Sequence, residues 1–150
     1  VHVFDIAQTE GEPLPPTPDW KSPEKNAELK DKLLRFAASK GIKVTFKDLP
    51  NDIQGISKGG EIEIDSNAGV KTLIHELSHE LLHHGENCFL DRKIKELHAE
   101  SVSYVVSKYL GLQEINCVNY LALFKIDSKD IMKELILIRN CANMLLTSLV

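Results

Sequence analysis

The sequence predicts an α+β fold: a small twisted sheet of about three strands packed on amphipathic helices. Three observations predict it. A helical stretch with a strong apolar side, Thr72-Leu73-Ile74-His75-Glu76-Leu77-Ser78-His79-Glu80-Leu81-Leu82, lies near the centre of the chain. Short alternating runs precede it, Ile42 to Phe46 and Glu61 to Ile64, with the hairpin signal Gly59-Gly60 between Ile53–Ser57 and Glu61–Ile64. Longer runs of helical period follow it. At 150 residues the chain suits one compact domain, 1–150, with a sizeable core.

In chain order, Val1 to Ile6 reads as a short strand. Five of the six prolines fall between positions 13 and 23, so residues 1–21 read as an extended Pro-rich arm with Leu14 and Trp20 as anchors. Ser22-Pro23-Glu24 signals a helix start, Ala27, Leu29, Leu33, Leu34, Phe36 and Ala37 form its apolar face, and Gly41 stops it. The strand Ile42–Phe46 and the hairpin follow, the acids Glu61 and Glu63 facing water or a cleft edge. Asp65-Ser66-Asn67 offers caps for a helix over 68–83, which Gly85 ends. Asp91 caps a helix running to Leu110, with Gly111 as its stop. Residues 115–124 read as a short helix. Asp127 or Ser128 caps the last helix. Its stripe Ile131, Leu135, Ile138, Ala142, Leu145 and Leu149, widened by Met132, Ile136 and Leu146, is expected to pack in the core.

Composition excludes several classes. Hydrophobic content of 43% and charged content of 27% describe an ordinary globular protein. A net charge of −4 and a pI near 5.9 provide no basic surface for nucleic acid or anionic membrane. No apolar run reaches the length of a membrane span. Cys88, Cys117 and Cys141 are widely spaced and odd in number, which predicts free thiols in a reducing cytoplasm. The chain opens on Val1 with no basic-then-apolar signal pattern, which reads as a domain excised from a longer protein.

The chemistry lies in His75-Glu76-Leu77-Ser78-His79. Residues four apart share one helix face, roughly 6 Å apart along the axis, so His75 and His79 can bind one metal ion. Glu76 is turned about 100° from His75 and can hold a water without occupying a metal position. Two imidazoles and a carboxylate suit one Zn2+ ion. The third ligand must come from elsewhere. HExxHxxGxxH is not met, because Leu82 stands where its Gly belongs and Gly85 where its third His belongs. The next helix offers Glu96 and Glu100, four apart on one face with Ala99 and Ser103. His83 is roughly 12 Å from His75 along the helix, too far to join the same ion, and reads as a rim or structural residue. His98 points away from Glu96 and reads as a surface or packing residue.

His75-Glu76-Leu77-Ser78-His79 with Glu96-x-x-Ala99-Glu100 resembles the compact gluzincins of the ImmA/IrrE type. It resembles more closely the zincin-like metallopeptidase domain of ArdC-type antirestriction and other plasmid- or phage-borne proteins. Val3-Phe4-Asp5-Ile6-x-Gln8-Thr9-x-Gly11-x-Pro13-Leu14-Pro15, Ser57-x-Gly59-Gly60-x-Ile62 and Ala99-Glu100-Ser101-Val102-Ser103-Tyr104-Val105-Val106 extend the likeness over residues 3 to 124. The resemblance implies a zinc metallopeptidase acting on a protein or peptide, with Glu76 as general base and His75, His79 and Glu96 as ligands. It implies Glu100 as the residue that orients a ligand histidine; the family has Asp there, and the longer Glu leaves an exchange of roles between Glu96 and Glu100 open. Tyr104 is the candidate oxyanion stabiliser, with a core aromatic as its alternative role. A peptide would add as an extra strand beside Glu61–Ile64. The alternative is a zinc-containing antirestriction or regulatory binding domain without turnover, contacting nucleic acid only through regions outside this chain.

Overall fold

The computed structural model describes residues 26–50, 53–85, 89–112 and 127–149. The strand at Val1–Ile6, the Pro-rich arm, the Ser22-Pro23 helix start, Cys88, Cys117 and the helix over 115–124 lie outside them. The described residues form an α+β fold of four helices and a three-stranded mixed sheet. In order these are α1 (Ala27–Ser39), β1 (Lys43–Lys47), β2 (Gly55–Ser57), β3 (Glu61–Asp65), α2 (Val70–Leu82), α3 (Arg92–Tyr109) and α4 (Ser128–Leu149).

Helix α1 starts at Asn26, whose side-chain oxygen accepts from the Leu29 amide at 3.0 Å. It closes where the Gly41 and Ile42 amides turn back onto the Ala38 and Ala37 carbonyls. The chain then enters β1, one residue later than the alternation suggests. Strand β3 is the centre of the sheet, parallel to β1 and antiparallel to β2. Its Ile62 and Ile64 are fully buried, while Glu63 faces out to Lys47 and Lys58 at 2.7 and 2.6 Å. The hairpin at Gly59-Gly60 is present as expected. The central place of β3 corrects one expectation: Glu61–Asp65 has no free edge for a peptide strand, and the outer strand of the hairpin is β2.

Helix α2 begins at Gly69 with no side-chain cap, contrary to the expected caps at Asp65-Ser66-Asn67. Asp65 is used in the preceding loop, where its oxygens accept from the Leu49 and Asn67 amides, each at 2.9 Å. Asp91 caps α3 through the Lys93 amide, and Asp127 accepts from the Lys129 and Asp130 amides at the start of α4.

The core joins Leu29, Leu33 and Phe36 of α1, Ile62 and Ile64 of β3, Leu73, Ile74 and Leu77 of α2, Val102 and Val106 of α3, and Ile138, Ala142 and Leu145 of α4. The first half of α4 departs from the expected core stripe. Met132, Leu135 and Ile136 are 66%, 44% and 71% exposed. The cause is a polar seam against α3: Lys93 pairs with Asp130 and His98 with Glu134, both at 3.0 Å. Asp130, Glu134 and Ile138 are four apart, so this row lies along the seam, and Met132, Leu135 and Ile136 turn outward while Ile131 stays half-buried. Cys141 is buried, and burial pushes its thiol up to about 12, which keeps it unreactive.

Candidate metal centre

Helices α2 and α3 pack on each other, and Leu73, Ile74 and Leu77 of α2 share one buried core with Val102 and Val106 of α3. That packing sets the second acidic helix beside the His-Glu-x-x-His turns. His75 and His79 lie one turn apart with their Nε2 atoms 3.1 Å from each other. Glu96 of α3 faces the same gap, its carboxylate oxygens 3.6 Å from His75 Nε2 and 3.9 Å from His79 Nε2. One donor atom from each of His75, His79 and Glu96 lies within 4.8 Å of the others.

This donor set fits a divalent metal. Metal–nitrogen distances of about 2.0–2.1 Å at a tetrahedral angle put two ligand nitrogens about 3.3 Å apart. The observed 3.1 Å between the Nε2 atoms is close to that spacing.

Glu100 faces the other side of His75. Its Oε2 is 3.2 Å from His75 Nδ1, and its Oε1 accepts from Lys71 Nζ at 2.7 Å. The Glu100 carboxyl is nearly enclosed, and burial acts against its charge. Hydrogen bonds and charge from His75 and Lys71 outweigh that and hold its pKa below the usual range. The structure thus brings His75, His79 and Glu96 together, and sets Glu100 behind His75. Tyr104 is half-buried one turn beyond Glu100, and the Lys108 ammonium lies 5.8 Å from the centre of its ring.

The imidazoles differ in proton affinity. Burial acts against a charge on His75, but hydrogen bonds to Glu100 and Glu96 and the charges of Glu76 and Glu100 raise its pKa to about 9. Burial, then the neighbouring His75, lowers His79 to about 4. Burial, then the rings of His79 and His98, lowers His83 to about 3. At neutral pH the metal-free cluster therefore carries one added proton, which makes His75 the charged ring and leaves His79 neutral.

Glu76 lies outside the cluster, beneath strand β2. A Cβ at Gly55 would stand 2.6 Å from Glu76 Cγ and 2.8 Å from its Oε1, so only glycine lets the strand pass this close. Burial raises the Glu76 pKa to about 7; the His75 charge and the Ser57 amide pull it down, while Glu96 and Glu80 push it up.

Two groups here were not legible in the motif. Gly55 is one. The other is Glu80, whose side chain is 2% exposed. It accepts from Ser57 Oγ at 2.7 Å, from the Lys58 and Gly59 amides at 2.9 Å, and from the Gly60 amide at 2.7 Å. Gly59 and Gly60 have φ of 82° and 89°, the left-handed backbone that turns successive amides inward onto an anion. Glu80 thereby ties the hairpin turn to the metal-facing helix. Glu80→Ala strands these donors and is expected to cost about 2–4 kcal/mol, read as a lower urea midpoint. A midpoint equal to wild type would mean that water replaces the carboxylate at no cost.

No protein-family model matches the chain, and no curated protein matches its sequence. Among solved structures, the crystal structure of the antirestriction protein ArdC from the R388 plasmid, in its Mn(II)-bound form, superposes with a TM-score of 0.50 at 22% identity. The chain shares the fold of the matched part of ArdC. The match covers 98% of this chain and 62% of that one, so the chain spans less than two thirds of ArdC's length. The expected likeness to ArdC-type proteins thus holds at the level of fold. Among the described residues, no helix is long and apolar enough to cross a membrane.

Proposed function

We propose that the chain is a zinc-dependent metallopeptidase domain in which His75, His79 and Glu96 hold the ion. The observation that carries this reading is a division of labour between two carboxylates. Glu96 faces both Nε2 atoms, while Glu76, buried beside them with a pKa near 7, is not one of the three grouped donors. A structural metal site has no use for a second carboxylate poised to move a proton; a hydrolytic one does. When bound, the metal supplies a polarised carbonyl and a water whose pKa falls toward about 7.

The chain's own residues do the rest. Glu76 takes one proton from the attacking water and delivers it to the leaving amine nitrogen, so that one amide and one water become an acid and an amine. The Ser57 amide and the close pass at Gly55 hold its carboxylate in place. Glu100 fixes His75 by accepting from Nδ1, which leaves Nε2 for the metal. Its ion pair with Lys71 supports that orienting role and supports Glu96 rather than Glu100 as the ligand. A peptide would lie along the outer edge of β2, next to Glu76.

The second reading is a metal-containing antirestriction or regulatory domain that acts by binding. It is favoured by the fold shared with an Mn(II)-bound antirestriction protein. One experiment separates the two: metal analysis of the purified protein, with cleavage of a quenched peptide library before and after chelation. The peptidase reading requires bound transition metal and chelator-sensitive cleavage. Bound metal without cleavage favours the binding reading, and no metal uptake from zinc or manganese overturns both.

A further inference from the structure

A line of rings leads from the cluster across the protein to α4. His79 Nδ1 is 2.8 Å from His83 Nδ1, His83 Nε2 is 3.2 Å from His98 Nδ1, and His98 Nε2 is 3.0 Å from Glu134 Oε2. The His83 and His98 rings stack with centroids 5.4 Å apart. They are 4% and 1% exposed, so these contacts satisfy ring nitrogens that bulk water does not reach.

The order of donors along this line is forced from its far end. A carboxylate can only accept. His98 therefore donates from Nε2, and its Nδ1 carries a lone pair. His83 must donate to that lone pair from Nε2, which leaves its own Nδ1 as an acceptor. His79 must then donate from Nδ1, and its Nε2 is left with the lone pair. That is the nitrogen turned toward His75 Nε2 and Glu96. Any other tautomer at one ring sets two N–H groups or two lone pairs against each other in a buried contact, which costs about 1–3 kcal/mol.

We propose that Glu134 is a positioning residue that sets the tautomer of His79 through His98 and His83, so that Nε2 of His79 is the nitrogen presented to the metal. In its consequence for metal binding the inference rests on the metal-site reading above; the proton order itself does not need the ion. The two ligand histidines are then fixed from opposite sides. His75 is fixed by direct contact with Glu100, and His79 by a relay of two rings ending on the last helix. The polar seam that turns the first half of α4 away from the expected stripe is, on this view, what places Glu134 at the end of the relay.

The test uses the 150-residue chain, metal-free, with 15N-labelled histidine. Long-range 1H–15N correlation spectra read which nitrogen of each ring carries hydrogen. Wild type is expected to show Nδ1–H at His79 and Nε2–H at both His83 and His98. Glu134→Gln keeps an acceptor oxygen and should keep this pattern and near-wild-type zinc affinity. Glu134→Leu removes the acceptor. His98 and His83 should then populate the opposite tautomers, and zinc affinity, measured against a chromophoric chelator, should fall about tenfold, the low end for loss of a partner behind a metal ligand.

A different tautomer pattern in wild type overturns the proposal. So does Glu134→Leu with unchanged tautomers and affinity. If Glu134→Leu fails to fold by circular dichroism, the wild-type pattern together with its retention in Glu134→Gln still decides. Wild type that takes up no zinc would sink the metal-site reading, while the metal-free spectra would still decide the relay.

Discussion

Glu76→Gln is expected to retain bound metal and to lose hydrolysis by a factor of about 10²–10⁴, the range a positioned general base contributes. The amide is nearly isosteric with the carboxylate, and Gly55 leaves the same space for it. It cannot take a proton from water. Metal content should stay at the wild-type level because Glu76 is not one of the three residues facing the shared gap. His79→Ala removes one of those three donors and also cuts the relay at its inner end. It should lose metal and hydrolysis together, with an affinity loss beyond the about 10–100-fold expected for a residue behind a ligand. The paired readout is elemental analysis after dialysis and initial rates on a fluorogenic peptide. Turnover by Glu76→Gln at the wild-type rate would remove Glu76 from the chemistry. Full metal retention by His79→Ala would remove His79 from the ligand set.

What the sequence made legible is what has short range. The i, i+4 spacing of His75 and His79, the Asp91 and Asp127 caps, and the glycine pair of the hairpin are local signals. Each appears where its local physics requires. The family resemblance implied Glu96 as the partner of the histidines; from helical period alone, that Glu96 and Glu100 share one face was legible. Which of the two faces the gap was not, since that depends on how α3 is rotated against α2. In the structure Glu96 faces it, while Glu100 is engaged by Lys71 and by His75 Nδ1.

The misses are long-range or rely on backbone. Asp65 looks like a cap but is engaged by the Leu49 amide, a contact made across 16 residues of sequence. Strand order is invisible to alternation, so β3 read as an edge although it is central. His98 reads as a surface or packing residue from period alone; it is buried, because it meets His83 and also Glu134, the latter on a helix that sequence spacing does not place. The stripe on α4 was read from apolar period alone. Its polar row, Asp130 and Glu134, has the same period and wins the inward face because it meets Lys93 and His98 there.

Metal affinity should rise about tenfold per pH unit between about pH 6 and 9 and level off above about 9, because binding must expel one proton. The direction follows from His75. In the metal-free protein burial disfavours its charged form, but Glu100 and Glu96 hydrogen-bond to it and Glu76 adds further negative charge, raising its pKa to about 9. Below that pH the ring is charged, and the gap between the two Nε2 atoms holds a proton where the metal would sit. A raised pKa means that the proton is bound throughout the neutral range, so the competition weakens as pH rises. His79 adds no second proton above about pH 5, since burial has lowered it to about 4. Zinc competition titrations from pH 6 to 10, with calorimetry in buffers of different ionisation enthalpy, should give close to one proton released at pH 8. Glu100→Gln serves as the internal control. It removes the foremost group holding the His75 proton, so the plateau should begin at lower pH even as the loss of orientation weakens binding at the plateau itself. Affinity independent of pH in wild type, with no proton released, would mean that His75 is neutral in the metal-free protein and that the 3.1 Å gap is bridged in some other way.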